Sequence, residues 1–162
     1  MLKKYGIIIM LILLVLLSNL FADKPLERIA NELGVEGETK FGEGNYLKAA
    51  SKFEEAIAKF NEAVEKAGIP QDEEKISTWL FNAYQSYLNA KDFENAIRIQ
   101  NKRTKLAPSD YKIVKEKAII YAKYLGNPDK AIETLTAFDN KYNSFSAKKL
   151  TAKYYKEYKE DL

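Results

Sequence analysis

The sequence predicts an all-α fold, and three features of the 162-residue chain lead to this prediction. Apolar residues recur at helical spacing, most clearly over residues 45–66. Capping residues, glycines and prolines separate one apolar stripe from the next. Residues 79–108 are typical of two helices joined by a tight turn. Because a lone hairpin of this size cannot hide both of its stripes from water, it requires the neighbouring helices that the rest of the chain supplies.

The first 22 residues are predicted to be a secretory signal peptide and not part of the fold. Lys3 and Lys4 precede an apolar run over residues 6–17, and Ala22 stands just before Asp23. This order of basic start, apolar core and small residue is typical of a cleavable signal. The alternative is an uncleaved membrane anchor, although the run is shorter than the ~20 residues that a spanning helix prefers. We expect a periplasmic or secreted protein with a helical domain at 23–162.

The first helix is predicted to open at residues 26–33. Gly34 lies within it and is expected to mark a bend, since glycine in a helix interior costs about 1 kcal/mol relative to alanine. Residues 42–44 (Gly-Glu-Gly) predict a turn. A phosphate-binding loop is the alternative reading, but no strand precedes these residues and no third glycine follows at the required spacing.

The longest helix is predicted over residues 45–66, with Gly68 as its C-cap and Pro70 as the stop. The next helix opens at acidic residues 71–74, which suit the positive end of a helix dipole, and runs to about residue 90. Asp92 is the predicted N-cap of the following helix, which Pro108 ends.

Three further segments complete the chain. Residues 108–110 are predicted to cap a helix over 111–125, and Asn127-Pro128 gives a strong start signal for the next helix. Ser146 is the predicted N-cap of a final amphipathic helix over 147–161, with Leu150, Tyr154 and Tyr158 in line. We interpret this helix as the polar-faced cap that ends a repeat array. A helix lying on a membrane surface is the alternative.

Three segments look like copies of one another. Each has a turn residue (Gly44, Lys91, Gly126), a helix start one residue later, and an alanine five residues after the turn residue: Ala49, Ala96 and Ala131. The segment over residues 30–142 resembles the tetratricopeptide repeat (TPR) family. Ala49, Phe53 and Ala56 match the small–large–small pattern of that family's second helix. The alanines lie 47 and then 35 residues apart, against a period of about 34 residues.

The later copies depart from the pattern, because Ala96 is followed by Gln100 and Arg103, and Ala131 by Leu135 and Phe138. The resemblance nevertheless implies a right-handed superhelix of stacked antiparallel helix pairs, a TPR-like solenoid of about three repeats plus a capping helix. It also implies that Gly37 lets the first helix approach the second closely.

In the TPR family the first helix of each pair lines a concave groove that receives a peptide or a partner helix. Carried over position by position, the resemblance implies a groove formed by these residues: Glu38, Phe41, Phe81, Gln85, Leu88, Asn89, Glu116, Ile120, Lys123 and Tyr124. The alternative for Phe41, Leu88 and Ile120 is plain packing between helices. TPR proteins that bind the C-terminal tails of chaperones hold the terminal carboxylate with several lysines, arginines and asparagines. Only Asn89 and Lys123 could do so here, so this activity is not expected.

No catalytic constellation is apparent in the sequence. The chain has no histidine and no cysteine, which removes imidazole bases, dithiols and the usual zinc sites. Neighbouring carboxylates such as Glu54–Glu55 and Glu73–Glu74 diverge on a helix and cannot share a proton. Ser146 and Lys149 are three residues apart, but capping explains Ser146 better. We therefore expect no enzyme, no cofactor and no metal site.

The charges do not indicate a nucleic-acid partner. The formal charge is +3, and removal of Lys3 and Lys4 would leave 24 basic and 23 acidic residues, interspersed along the chain. Nucleic-acid binding requires a clustered basic face. The sequence therefore favours a protein or peptide partner, bound by an adaptor or assembly factor of the cell envelope. The alternatives are a self-associating structural protein, with tyrosines of the last helix in contact, and an enzyme that uses carboxylates alone.

Overall fold

A computed structural model describes residues 24–159 and confirms the all-α class. This part of the chain contains seven α-helices, one π-helix and no strand. The predicted signal peptide lies outside the described residues. The elements in chain order are α1 (Lys24–Gly42), α2 (Tyr46–Ala67), α3 (Glu73–Asn89), α4 (Phe93–Leu106), α5 (Tyr111–Ile119), the π-helix (Ile120–Tyr124), α6 (Pro128–Tyr142) and α7 (Phe145–Lys159).

The chain divides into two compact units, one ending at Trp79 and the other beginning at Leu80, so that the division falls within α3. In the first unit α1 packs along α2. In the second unit α4 packs on α5, α5 on α6, and α6 on α7, while α7 also reaches α5. Between residues 24 and 159, no helix combines the length and the apolar character needed to cross a membrane.

The two glycines inside α1 are positions of close helix packing. A Cβ atom at Gly37 would come 2.8 Å from the ring of Phe53 on α2, which gives Gly37 the packing role that the resemblance implied. A Cβ atom at Gly34 would come 2.6 Å from Nε1 of Trp79. α1 runs without interruption through Gly34, where the sequence predicted a bend. The indole ring accounts for this glycine, and the sequence alone did not reveal that contact.

Trp79 lies in the core of the first unit. It makes an edge-to-face contact with Phe60, with ring centroids 6.0 Å apart. Lys75 lies over the same Phe60 ring at 5.0 Å and pairs with Glu27 of α1 at 3.4 Å. These contacts fix the start of α3 against α1 and α2. The apolar stripe predicted for the longest helix is buried at Ala49, Ala50, Phe53, Ala56, Ile57, Phe60 and Ala63.

The predicted caps are confirmed at four helix ends. The side chains of Asp92, Asp110 and Asn127 each accept a hydrogen bond from a backbone N–H in the first turn of the helix that follows. Gly68 adopts the left-handed conformation at φ 63°, which glycine tolerates best, and its N–H donates to the carbonyl of Val64.

One predicted helix changes type near its end, and one predicted cap was wrong. The helix expected over residues 111–125 is present: it is α-helical to Ile119 and π-helical over Ile120–Tyr124, and the N–H of Leu125 donates to the carbonyl of Ile120 at 3.0 Å. Ser146 does not cap the last helix. That helix begins at Phe145, and Ser144 Oγ accepts the N–H of Ala147 at 3.2 Å. Both serines precede an apolar residue, so local sequence does not choose between them.

The core of the second unit lies between α5, α6 and α7. Its buried members include Ala131, Leu135 and Phe138 of α6 and Tyr154 of α7. Leu150 and Tyr158 pack against this cluster from the same face of α7, as the sequence predicted. The last helix is therefore an integral part of the second unit.

We predict that Gly34→Ala destabilises the first unit. The added methyl group would meet the indole of Trp79 at 2.6 Å, and overpacking of this kind costs about 1–3 kcal/mol. The control is Gly42→Ala, where no atom lies within 4 Å of the added Cβ. Urea unfolding followed by the fluorescence of Trp79, the single tryptophan, measures both variants. Equal midpoints for Gly34→Ala and the wild type would contradict the packing role of Gly34.

Candidate interaction surface

The residues assigned to a groove fall in both units. The first unit holds Glu38 and Phe41, both exposed on α1, with the Phe41 ring edge-on to Tyr46 at 5.3 Å. In the second unit Phe81, Gln85, Leu88 and Glu116 are half-buried, whereas Asn89, Lys123 and Tyr124 are exposed. Ile120 is only 1% exposed, so for this residue the alternative of packing between helices holds.

A buried polar network connects α3, α4 and α5. We call it the Arg103 cluster, and its members are Phe81, Tyr84, Gln100, Arg103 and Glu116. Gln100 Nε2 donates to Glu116 Oε2 at 2.8 Å. Arg103 Nη1 donates to Gln100 Oε1 at 2.8 Å and to Glu116 Oε2 at 3.0 Å. One carboxylate oxygen thus receives two donors from α4.

Two aromatic rings complete the cluster. The guanidinium of Arg103 lies 5.0 Å from the ring centroid of Phe81 and 5.4 Å from that of Tyr84, both distances within the range of cation–π attraction. Burial, and to a lesser degree the negative charge of Glu116, raises the pKa of Tyr84 to about 12. Phe81 and Glu116, two predicted groove residues, therefore come together around Arg103, and the Glu116 carboxylate is engaged inside the unit.

The cluster accounts for two polar residues on the buried face of α4. Gln100 is fully buried and Arg103 is 9% exposed, at the two positions where the resemblance implied a large and a small apolar residue. Burying such groups costs free energy unless their polar atoms find partners; Nη1 of Arg103 has two acceptors, whereas its buried Nε has no hydrogen-bond partner. The signal available in the sequence was this pair of polar residues on the buried stripe of a helix, which predicts a partner on a neighbouring helix without naming Glu116.

An exposed aromatic side chain stands at the end of the π-helix. Tyr124 is 52% exposed, and its ring stacks on Phe93 of α4 with centroids 4.7 Å apart and planes inclined by 15°. Phe93 follows Asp92, the N-cap of α4, so the stack is attached to a capped helix end. Short π-helical turns occur often at functional sites. We call this pair the Tyr124 stack.

Polar groups are also present on the elements that carry these aromatic residues. Asn89 Nδ2 donates to the backbone carbonyl of Gln85 at 2.8 Å, which orients the amide at the end of α3. Lys123 is exposed next to Tyr124 in the chain. Aromatic residues are enriched in the core of protein-binding surfaces, whereas polar groups such as Asn89 and Lys123 suit the rim.

Within residues 24–159, no group of three or more Asp, Glu, His or Cys side chains could hold a metal ion. The carbonyl of Ser146 accepts the hydroxyl of Tyr111 at 3.0 Å. In comparisons with known proteins, the chain matches no family model and no curated protein sequence.

We predict that Glu116→Leu destabilises the second unit by about 3 kcal/mol, because it leaves the buried Arg103 guanidinium without a carboxylate. Arg103→Met in the same chain removes the stranded charge and should restore part of that loss. A double-mutant cycle by urea unfolding measures the coupling, which we expect to exceed about 1 kcal/mol. Glu133→Leu, at an exposed surface pair with Lys130, is the control. Strictly additive losses would show that the cluster does not act as a unit.

We predict that Tyr84 makes stability fall at alkaline pH. Its pKa in the folded protein, about 12, lies above the value of about 10 for an unfolded tyrosine. Its contribution is therefore fully present below pH 10 and is lost as the pH rises toward 12. Between these pH values the wild type should lose about 2 kcal/mol more than Tyr84→Phe. Parallel pH profiles of the two proteins in chemical unfolding would rule this contribution out.

Proposed function

We propose that this chain is a TPR-like scaffold that binds another protein or peptide, as an adaptor or assembly factor of the cell envelope. In this proposal the helix pairs stack in the right-handed manner of that family. The support is the all-helical structure, the packing of consecutive helices, and the fully buried alanines 49, 96 and 131 at equivalent places in three helices.

The observation that carries the binding proposal is the Tyr124 stack. Tyrosine is enriched among the residues that dominate binding energy at protein interfaces. A ring that already rests on Phe93 at 4.7 Å has less freedom to lose when a partner covers it, and a smaller entropy loss favours binding. About half of the Tyr124 surface is therefore available to a partner, while Phe93 holds the ring in place.

The Arg103 cluster links three helices of the same unit. It fixes α3, α4 and α5 through charge-assisted hydrogen bonds. We assign partner contacts in this unit to Phe81, Gln85, Leu88, Asn89, Lys123 and Tyr124. Glu38 and Phe41 are the proposed contacts of the first unit. Glu116 has a positioning role in this proposal, because its carboxylate already holds Gln100 and Arg103.

The envelope location in this proposal depends on residues 1–22, whose basic, apolar and small residues follow the order of a signal peptide. Cleavage would release the protein to the periplasm or the medium. If the segment were retained, it would be the attachment to the membrane.

A second candidate function is self-association through α7. Tyr154 is buried in the core, but Tyr155 is 50% exposed and Phe145, at the start of the same helix, is 79% exposed. Exposed aromatic residues on a terminal helix can be covered by a second copy of the chain. This alternative places the contact on α7 and needs no partner of another sequence.

Site-specific photo-crosslinking distinguishes the two proposals. The full-length protein carries benzoylphenylalanine at position 124 or at position 155 and is irradiated in an envelope extract of its native host. We expect position 124 to give one discrete adduct with a different protein, weakened by Lys123→Ala, and position 155 to give none. An adduct of twice the chain mass from position 155 alone would favour self-association. Equal or absent adducts at both positions would contradict both proposals.

A further inference from the structure

A cleft of about 330 Å³ opens in the second unit between the end of α4, α5 and α6. It shares no lining residue with the Tyr124 stack or the Arg103 cluster. Its apolar lining includes Pro108, Val114 and Phe138. Val114 and Phe138 are core residues, nearly covered by their neighbours, so this part of the wall is firm. The volume lies at the lower end of small-molecule sites, which suits a compact ligand.

Three lysines line the same cleft. They are Lys117 of α5 and Lys130 and Lys141 of α6, together with a single carboxylate, Glu133. Glu133 already pairs with Lys130 at 3.1 Å. The lining residues therefore carry a net charge of +2, and two of their ammonium groups are not balanced by this carboxylate. Such a cleft attracts anions.

Lys117 is the most buried of the three, and the charge of Glu133 compensates its ammonium group only in part. Its side chain is half-buried, and its nearest aromatic contact is the ring of Tyr121 at 6.0 Å. Among the described residues no carboxylate lies within 4.0 Å of its Nζ atom. Burial, followed by repulsion from Lys130, lowers the pKa of the Lys117 ammonium. Partial burial of the charged Lys117 ammonium costs free energy and lowers the stability of the free protein. A bound anion would offset that cost.

The two threonine hydroxyls of the lining are already engaged, which leaves the ammonium groups and the hydroxyl of Tyr142 as donors. Thr104 Oγ1 donates to the carbonyl of Gln100 at 2.8 Å, and Thr134 Oγ1 donates to the carbonyl of Lys130 at 2.7 Å. Both hydroxyl hydrogens are thus used within their own helices. The cleft therefore combines an apolar wall with charged donors of one sign, and it selects for ligands with an acidic head and an apolar body.

We propose that the cleft binds a small organic anion, with its acid group at Lys117 and its apolar body against Pro108, Val114 and Phe138. This binding is independent of the protein-binding surface proposed above. Because of its charge, Lys117 is the residue on which selection for an anion over a neutral analogue depends most.

Hexanoate, hexanol and acetate are suitable probes, titrated into the ¹⁵N-labelled full-length chain with amide shifts as the readout. We expect saturable shifts at amides of α5 and α6 with hexanoate, and much weaker binding of hexanol, which lacks the charge, and of acetate, which lacks the body. Lys117→Met keeps the apolar stem and should weaken hexanoate binding about tenfold, the loss typical of one partly buried charge contact. Its thermal midpoint should equal or exceed that of the wild type, which shows that the variant folds.

The control is Lys115→Met, which removes an exposed lysine of α5 that does not line the cleft. It should bind hexanoate as the wild type does. Equal affinity for hexanol and hexanoate, equal loss in the two lysine variants, or the lack of saturable shifts in the wild type would each overturn the proposal.

Discussion

The structure depends on one constraint: the apolar stripe of each helix must be covered by neighbouring helices, and this requires that the backbones come close. Small residues provide that closeness. Ala49, Ala96 and Ala131 are each fully buried at corresponding places in α2, α4 and α6. In the first unit Gly34 and Gly37 do the same from α1, where Trp79 and Phe53 occupy the space that a side chain would need.

In the second unit, polar side chains take two of the buried positions of a helix. Gln100 and Arg103 occupy buried positions of α4, and they are accommodated because Glu116 accepts from both while Phe81 and Tyr84 cover the guanidinium. Such a network is sensitive to the loss of any one of its partners. Its consequence for function is a fixed arrangement of α3, α4 and α5 beside the exposed Tyr124, and this combination of order and exposure underlies the proposed binding surface.

Much of the fold was predictable because its determinants are local. Helical spacing and capping chemistry located the helices, and Asp92, Asp110 and Asn127 cap as their positions suggested. What failed was non-local. The role of Gly34 required knowledge of Trp79, 45 residues away in the chain, and helical spacing does not distinguish the π-helix from the α-helix that precedes it. For the candidate site, the sequence placed Tyr124 and Lys123 on a surface, whereas the engagement of Glu116 by α4 depends on a contact that no periodicity encodes.

The packing constraint can be tested directly by enlarging the alanines. Leucine has a high helix propensity, so the variants Ala49→Leu, Ala96→Leu and Ala131→Leu should form helix as well as the wild type. They therefore test whether there is room for a larger side chain at each position. The exposed Ala58 and Ala152 are the matched controls on α2 and α7. In urea unfolding, each buried substitution should lower the free energy of unfolding by about 1–3 kcal/mol, and the controls should leave it within about 0.5 kcal/mol. If leucine were tolerated as well at the three buried positions as at the two exposed ones, close helix approach at alanine would not be what holds this fold together.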